Sequence, residues 1–274
     1  MNTATSPRDQ ARPRPPGAAL RVALPIIVLF AAIVTWDLVV RLNQIPPYVL
    51  PGPLLVASTL IQDWPVLFGS LLTTLLTTLE GFATAAIGGI ALALLFNQSR
   101  LLEYSLFPYA VVLQVTPVIA IAPLLLIYLP QETAVIVCAW IVAFFPVLAN
   151  TTLGLNSVDR NLAGLFRLYG ASRWQTLLRL KLPAALPYIL GGLRIAGGLS
   201  LIGAVVAEIA AGSAGAGSGL AYRIAESGYR LNIPRMFAAL LLLSTAGIVI
   251  YLLLALASHL LLRRWHESAL GKDN

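Results

Sequence analysis

The chain has 274 residues, of which 58% are hydrophobic and only 11% charged. A soluble domain carries about 25% charged residues, so this composition excludes an ordinary soluble fold and points to a chain embedded in a bilayer. The net charge of +7 would suit a nucleic-acid binder, but the cations are spread between long apolar runs, which membrane orientation explains and nucleic acid does not.

Met1 to Ala19 is rich in Pro, Arg and small residues and is expected to be a disordered cytosolic tail, residues 1–19. From residue 20 to 266 the pattern is that of a transmembrane domain, followed by a short cytosolic tail at 267–274. Six stretches meet the ~20-residue requirement for a spanning helix. They run from Leu20 to Val40, Ser70 to Phe96, Tyr104 to Leu129, Thr133 to Leu153, Ala184 to Ala211 and Met236 to Leu262. The first is too long for the apolar core of a signal peptide, and no small-x-small cleavage site follows it cleanly. Between the first two, Ile45-Pro46-Pro47-Tyr48 and Leu50-Pro51-Gly52-Pro53 predict a turn, and Leu54 to Ile61 a short helix lying on the membrane surface.

The third span holds Pro108, Pro117 and Pro123 and is expected to be one kinked helix. Gln114 and Thr116, beside Pro117, are candidates for a central cavity, or for bonds between helices. Cys138 is the single cysteine; an intrachain disulfide is excluded, and a packed, inert thiol is expected. Ionisable residues in or near spans are Asp37, Glu80, Arg194 and Glu208. Each suits either a buried interhelical bond or the wall of a pathway. Arg194 and Glu208 lie on one helix about four turns apart, so they cannot pair within it. After that helix, Gly212 to Gly219 reads as a flexible linker or as a gate or docking loop. Arg223, Glu226, Arg230 and Arg235 follow, available to a soluble partner.

Lys and Arg set the orientation. With both termini inside, the cytosolic side receives the arginines of the N-terminal tail, Arg100, the cluster from Arg160 to Lys181, and Arg263, Arg264 and Lys272. The outer side receives only Arg41, Arg223, Arg230 and Arg235. The loop from Arg160 to Pro187 is thereby placed in the cytosol. It has its own logic. Gly170 ends a first short helix by adopting φ > 0. Ser172-Arg173-Trp174-Gln175 forms a capping box that starts a second, and Pro183 stops it. Charge alone leaves open an interfacial helix pair resting on anionic headgroups.

The spacing goes further. Gly170-Ala171-Ser172, with nine residues between the glycine and Leu180-Lys181-Leu182-Pro183, resembles the cytoplasmic EAA loop of permease subunits of binding-protein-dependent ABC importers of the type I (MetI-like) fold. Where that family has Glu-Ala-Ala, this chain has Gly164-Leu165-Phe166. The Leu50-Pro51-Gly52-Pro53 stretch and Ala207-Glu208 are similar to the nitrate, sulfonate and taurine subgroup. The resemblance implies an all-α membrane fold of about six helices in the bacterial inner membrane and a coupling loop that inserts into a groove of an ABC ATPase subunit. It further implies a second permease copy, a homodimer being usual, and an extracytoplasmic solute-binding protein. ATP and Mg would be bound by the partner ATPase and no cofactor by this chain.

The residues agree that the chain is no ATPase itself. Its lysines, Lys181 and Lys272, are followed by Leu182 and Asp273, so neither completes a P-loop. His259 and His266 lack the further ligands of a metal site. No Gly-x-Ser-x-Gly elbow or His-Glu-x-x-His occurs, and an enzyme is not expected. The alternative reading is a secondary transporter or channel, which would account for the spans and charges but not for the loop. Among subgroup solutes, an organic molecule such as riboflavin or a thiamin pyrimidine is favoured over an inorganic ion by the flavour of Tyr229 to Phe237.

Overall fold

The computed structural model describes residues 18–212 and 217–263. Most of the N-terminal tail, His266 and the tail at 267–274 lie outside them, as do Ser213–Ala216 of the glycine run and the orienting cations Arg8, Arg12, Arg14, Arg264 and Lys272. Among the described residues all regular structure is helical. The helices are α1 (Ala18–Leu42), α2 (Pro53–Gln62), α3 (Trp64–Gln98), α4 (Arg100–Val115), α5 (Val118–Tyr128) and α6 (Gln131–Asn156). Then follow α7 (Arg160–Leu168), α8 (Arg173–Thr176), a π-helical turn (Leu177–Lys181), α9 (Leu182–Ala211), α10 (Leu220–Tyr229) and α11 (Ile233–Leu262).

Three long helices make the core. α6 packs along both α3 and α9. Small side chains make that approach possible, because van der Waals packing rather than water exclusion holds helices together in lipid. On α3, Gly81, Ala85, Gly89 and Ala93 recur every fourth residue and are all buried. A Cβ at Gly81 would run into Ala139, and one at Gly89 into Val147. On α9, a Cβ at Gly203 would stand 2.6 Å from the Cys138 carbonyl oxygen. Cys138 is buried and free, as its apolar surroundings suggest. α11 lies against α9, α10 and α2, and Trp36 of α1 meets Phe237 of α11 with ring centroids 5.9 Å apart. The apolar stretch of α1 is otherwise uncovered by the rest of the chain. It is left for lipid or a partner.

Two expectations need correction. The third span is not one kinked helix. Thr116 and Pro117 are extended, and α4 and α5 meet at 98°. Pro117 denies its predecessor the helical conformation and removes a backbone donor, which breaks the ladder there. Pro108 and Pro123 are by contrast absorbed inside α4 and α5. The second correction concerns Pro183, which does not stop its helix: Arg173 to Ala211 runs as one apolar helix of 39 residues. The chain widens into a π turn just before the proline, so the lost i→i−4 bond falls where the ladder is already re-registered.

Candidate functional site

The α7–α8 elbow is built almost wholly from local bonds. Asp159 caps α7, its carboxylate accepting from the Asn161 N–H at 2.6 Å. Gly170 takes φ +68, so only a residue without a Cβ turns there without strain. The capping box then closes in both directions. The Gln175 N–H donates to Ser172 Oγ at 3.2 Å, and the Ser172 N–H donates to Gln175 Oε1 at 2.8 Å. α7 buries none of its residues, and Leu162, Leu165, Leu168, Trp174 and Leu178 stand exposed among Arg160, Arg167, Arg173 and Arg179. Gly164 and Ala171 are half-buried, as are Leu180 and Leu182 where the chain enters α9. Beside the elbow a groove of about 600 Å³ is lined by Asn97, Gln98, Arg100, Arg167, Arg173 and Lys181, among others. Lys181, at the end of the π turn, donates to Asn97 Oδ1 at 3.1 Å and so ties the elbow to the end of α3.

The far end of α9 is built from bonds that cross the chain. Glu208 is buried, and its Oε2 accepts from Thr74 Oγ1 at 3.0 Å and from the Ala221 N–H at 3.0 Å. The Leu220 N–H donates to Thr74 Oγ1 at 2.8 Å. α10 begins at Gly219 without a cap of its own. A threonine of α3 and a carboxylate of α9 supply one, and the negative charge suits a helix N-terminus. A Cβ at Gly219 would overlap the Glu208 carboxylate.

The remaining sequence candidates scatter. Gln114 is exposed, and Thr116 Oγ1 donates to the Val112 carbonyl of its own helix at 2.7 Å, so both mark the α4–α5 break without joining another element. Arg194 is far along α9 from Glu208; its guanidinium lies 5.9 Å from the centre of the Tyr251 ring of α11. Asp37 pairs with Arg41 one turn on, at 2.8 Å. Glu80 is exposed, which removes a buried bond within the chain as its explanation. The charges after the glycine run are largely spent inside the chain. Glu226 pairs with Arg223 and Arg230, each at 2.9 Å, and Arg235 pairs with Asp63 at 2.6 Å.

Sequence reasoning missed Thr74, Asn97, Asp63 and the N-terminus of α10. One signal was present: the doublets Thr73-Thr74 and Thr77-Thr78, four residues apart inside an apolar span, put hydroxyls on a face that needs partners.

Comparison with known proteins decides the family. Residues 85–266 match the model of the binding-protein-dependent transport system inner membrane component. The chain belongs to that family. It is an ABC transporter permease of the inner membrane; among the described residues five helices are long and apolar enough to cross a bilayer, six when the bent pair of α4 and α5 is counted as one span. It is 34% identical over 272 residues to the riboflavin transport system permease protein RibX of Chloroflexus aurantiacus, covering 97% of each chain. To the formylaminopyrimidine transport permease protein ThiX of Halalkalibacterium halodurans it is 33% identical over 227 residues, 82% of this chain and 89% of that one. The fold is shared with an amino acid ABC transporter whose crystal structure was solved with histidines: TM-score 0.60 at 20% identity, over 73% of this chain and 96% of that one.

Proposed function

We propose that this permease forms the translocation pathway of an ATP-driven importer, and that the α7–α8 elbow is where a separate ATPase subunit takes hold. The observation that carries this reading is the elbow itself: a helix with no buried residue, turned by a glycine at φ +68 and a closed capping box, presenting leucines and a tryptophan among arginines. Such a surface is organised by its own backbone yet buries nothing against its own chain, which suits insertion into the groove of a partner.

In this reading the elbow and both termini face the cytosol, as the Lys and Arg distribution favours. Two permease copies, two ATPase subunits carrying ATP and Mg, and an extracytoplasmic binding protein complete the importer. Closure of the ATPase pair on ATP moves the elbow. The continuous helix from Arg173 to Ala211 and the Lys181–Asn97 bond carry that movement into α9 and α3. The cavity between the two permease copies then switches from inward to outward, and release of ADP and phosphate reverses it. The named relatives favour a small organic solute, riboflavin or a pyrimidine, delivered by the binding protein.

The test is to solubilise the chain from its native membranes, purify it, and assay ATPase activity in what accompanies it. A P-loop ATPase is expected to co-purify and to be lost when Gly170 and Pro183 are replaced together. A chain that purifies alone and moves solute into ATP-free vesicles would contradict the reading and restore the secondary transporter.

A further inference from the structure

Four cations converge on one groove and lack an anion. Arg100 comes from the start of α4, Arg167 from α7, Arg173 from α8 and Lys181 from the π turn, and all four line the groove of about 600 Å³ beside the elbow. The described lining carries no Asp or Glu. None of the four makes an ion pair among the described residues. Glu103 stands in a smaller cavity of about 120 Å³ that Arg100 and Lys181 also line, which leaves four cations against one carboxylate. Like charges gathered this way repel one another, and a bound anion relieves them.

The groove lies at a membrane boundary. Asn97 and Gln98 are the last residues of the spanning helix α3, and Lys181 immediately precedes α9. The two sides of α7 are used differently. Ala163 and Arg167, four residues apart, line the groove, whereas Leu162, Leu165 and Leu168 stand exposed on the opposite side. The apolar side suits the proposed ATPase; the cationic side is turned to the ends of α3 and α4. Beside Arg100, Leu101 and Tyr104 are exposed on α4, an apolar and aromatic flank of the kind found at a bilayer surface.

We propose that this groove seats the headgroup phosphate of an anionic phospholipid of the cytosolic leaflet, held by Arg100, Arg167, Arg173 and Lys181. A guanidinium meets phosphate through two parallel N–H bonds, and basic pockets between spanning helices on the cytosolic side suit acidic headgroups. The groove is larger than a bare phosphate and lies in the range of small-molecule sites. By bridging α4 to α7 and α8, the lipid ties the elbow to the spanning bundle at a second point, beside the Lys181–Asn97 bond. From the permease reading the proposal takes only the cytosolic placement of the elbow.

The test titrates the full chain, purified in a neutral detergent, by calorimetry with three probes: dioctanoyl phosphatidylglycerol, dioctanoyl phosphatidylcholine and inorganic phosphate. Two double variants are compared. Arg100→Gln with Arg167→Gln empties the groove of two charges; Arg160→Gln with Arg179→Gln removes two from the same elbow outside the lining, and all four arginines are exposed, so the fold tolerates both. Phosphatidylglycerol is expected to bind the unaltered chain at least about fivefold tighter than phosphatidylcholine, and the groove variant about thirtyfold more weakly. The control variant should stay within about twofold of the unaltered chain. Equal affinity for the two lipids, or equal weakening by the two variants, would overturn the proposal by reducing the groove to general surface charge. Inorganic phosphate bound as tightly as phosphatidylglycerol would overturn the lipid source. No lipid binding, with ATPase co-purification lost in the groove variant alone, would overturn it in favour of an acidic segment of the ATPase. The permease reading fails separately: it falls if the unaltered chain brings no ATPase through purification, even where the lipid binds as expected.

Discussion

At one end of α9 the backbone is held by side-chain bonds that reach two or three residues along the chain; at the other, by bonds that reach 134 and 146 residues. The elbow of α7 and α8 is a local object. Asp159, Gly170, Ser172 and Gln175 shape it without help, and its outer face buries nothing. The knot around Glu208 is a tertiary object, in which α3, α9 and α10 share one carboxylate and one hydroxyl. The difference fits two jobs. A surface that must leave and re-enter a partner's groove is best shaped before it binds, because preorganisation lowers the cost of docking. A junction that keeps two spans and a short helix in register is best made from buried bonds whose loss leaves unsatisfied groups.

This contrast can be broken from either side. The largest effect is expected at the knot. Glu208→Ala strands the Ala221 N–H in a buried setting, at about 1–3 kcal/mol for the unsatisfied group, and leaves the Thr74 hydroxyl only the Ser70 carbonyl, at 3.2 Å, as its acceptor. The purified chain should unfold at a clearly lower temperature in detergent, with α10 the first protease target; Glu208→Gln, which keeps an acceptor, should recover part of the loss. Next comes Gly219→Val, which forces atoms into the Glu208 carboxylate and should cost about 1–3 kcal/mol by overpacking, read by the same unfolding scan. At the elbow, Ser172→Ala removes one half of the capping box, worth about 1 kcal/mol to the local helix. Its signature is lowered ATPase co-purification with an unchanged unfolding temperature, and Ser172→Asp should restore it. The smallest effect belongs to Asp63→Asn. The Asp63–Arg235 pair is two-pronged but partly exposed, so no more than ~1 kcal/mol is expected. Salt should diminish the difference between the two chains.

The same contrast explains what could be read from the residues alone. The capping box and the positive φ at Gly170 were legible because each is written within four consecutive residues. The spans were legible from apolar length, and α2 from a proline-glycine turn followed by an apolar run. The 98° break at Pro117 was not. Proline is tolerated in spanning helices, as Pro108 and Pro123 show here, and only the neighbours decide which one breaks the chain. Pro183 misled for a related reason: a proline stops a helix only when its turn keeps α-helical register, and the π turn from Leu177 to Lys181 relaxes that condition. Thr74 and Glu208 were individually visible as polar residues in apolar spans, but nothing local says that they meet each other at the N-terminus of α10. Arg223 and Arg230 stand three and four residues from Glu226, so their pairing was readable once that stretch is taken as a helix; Arg235 looked available to a partner because its acceptor, Asp63, lies 172 residues away.

The claim that the elbow couples ATP hydrolysis to transport has one most direct measurement. A Cβ at Gly170 meets nothing within 4 Å, so Gly170→Val acts through backbone strain alone, about 1–2 kcal/mol confined to the turn. The importer is reconstituted with this variant and with the unaltered chain, and solute moved per ATP hydrolysed is compared. We expect uptake by the variant to fall to the ATP-free level while the chain keeps its unfolding temperature and the ATPase goes on hydrolysing ATP. Uptake per ATP equal to that of the unaltered chain would contradict the assignment of the elbow.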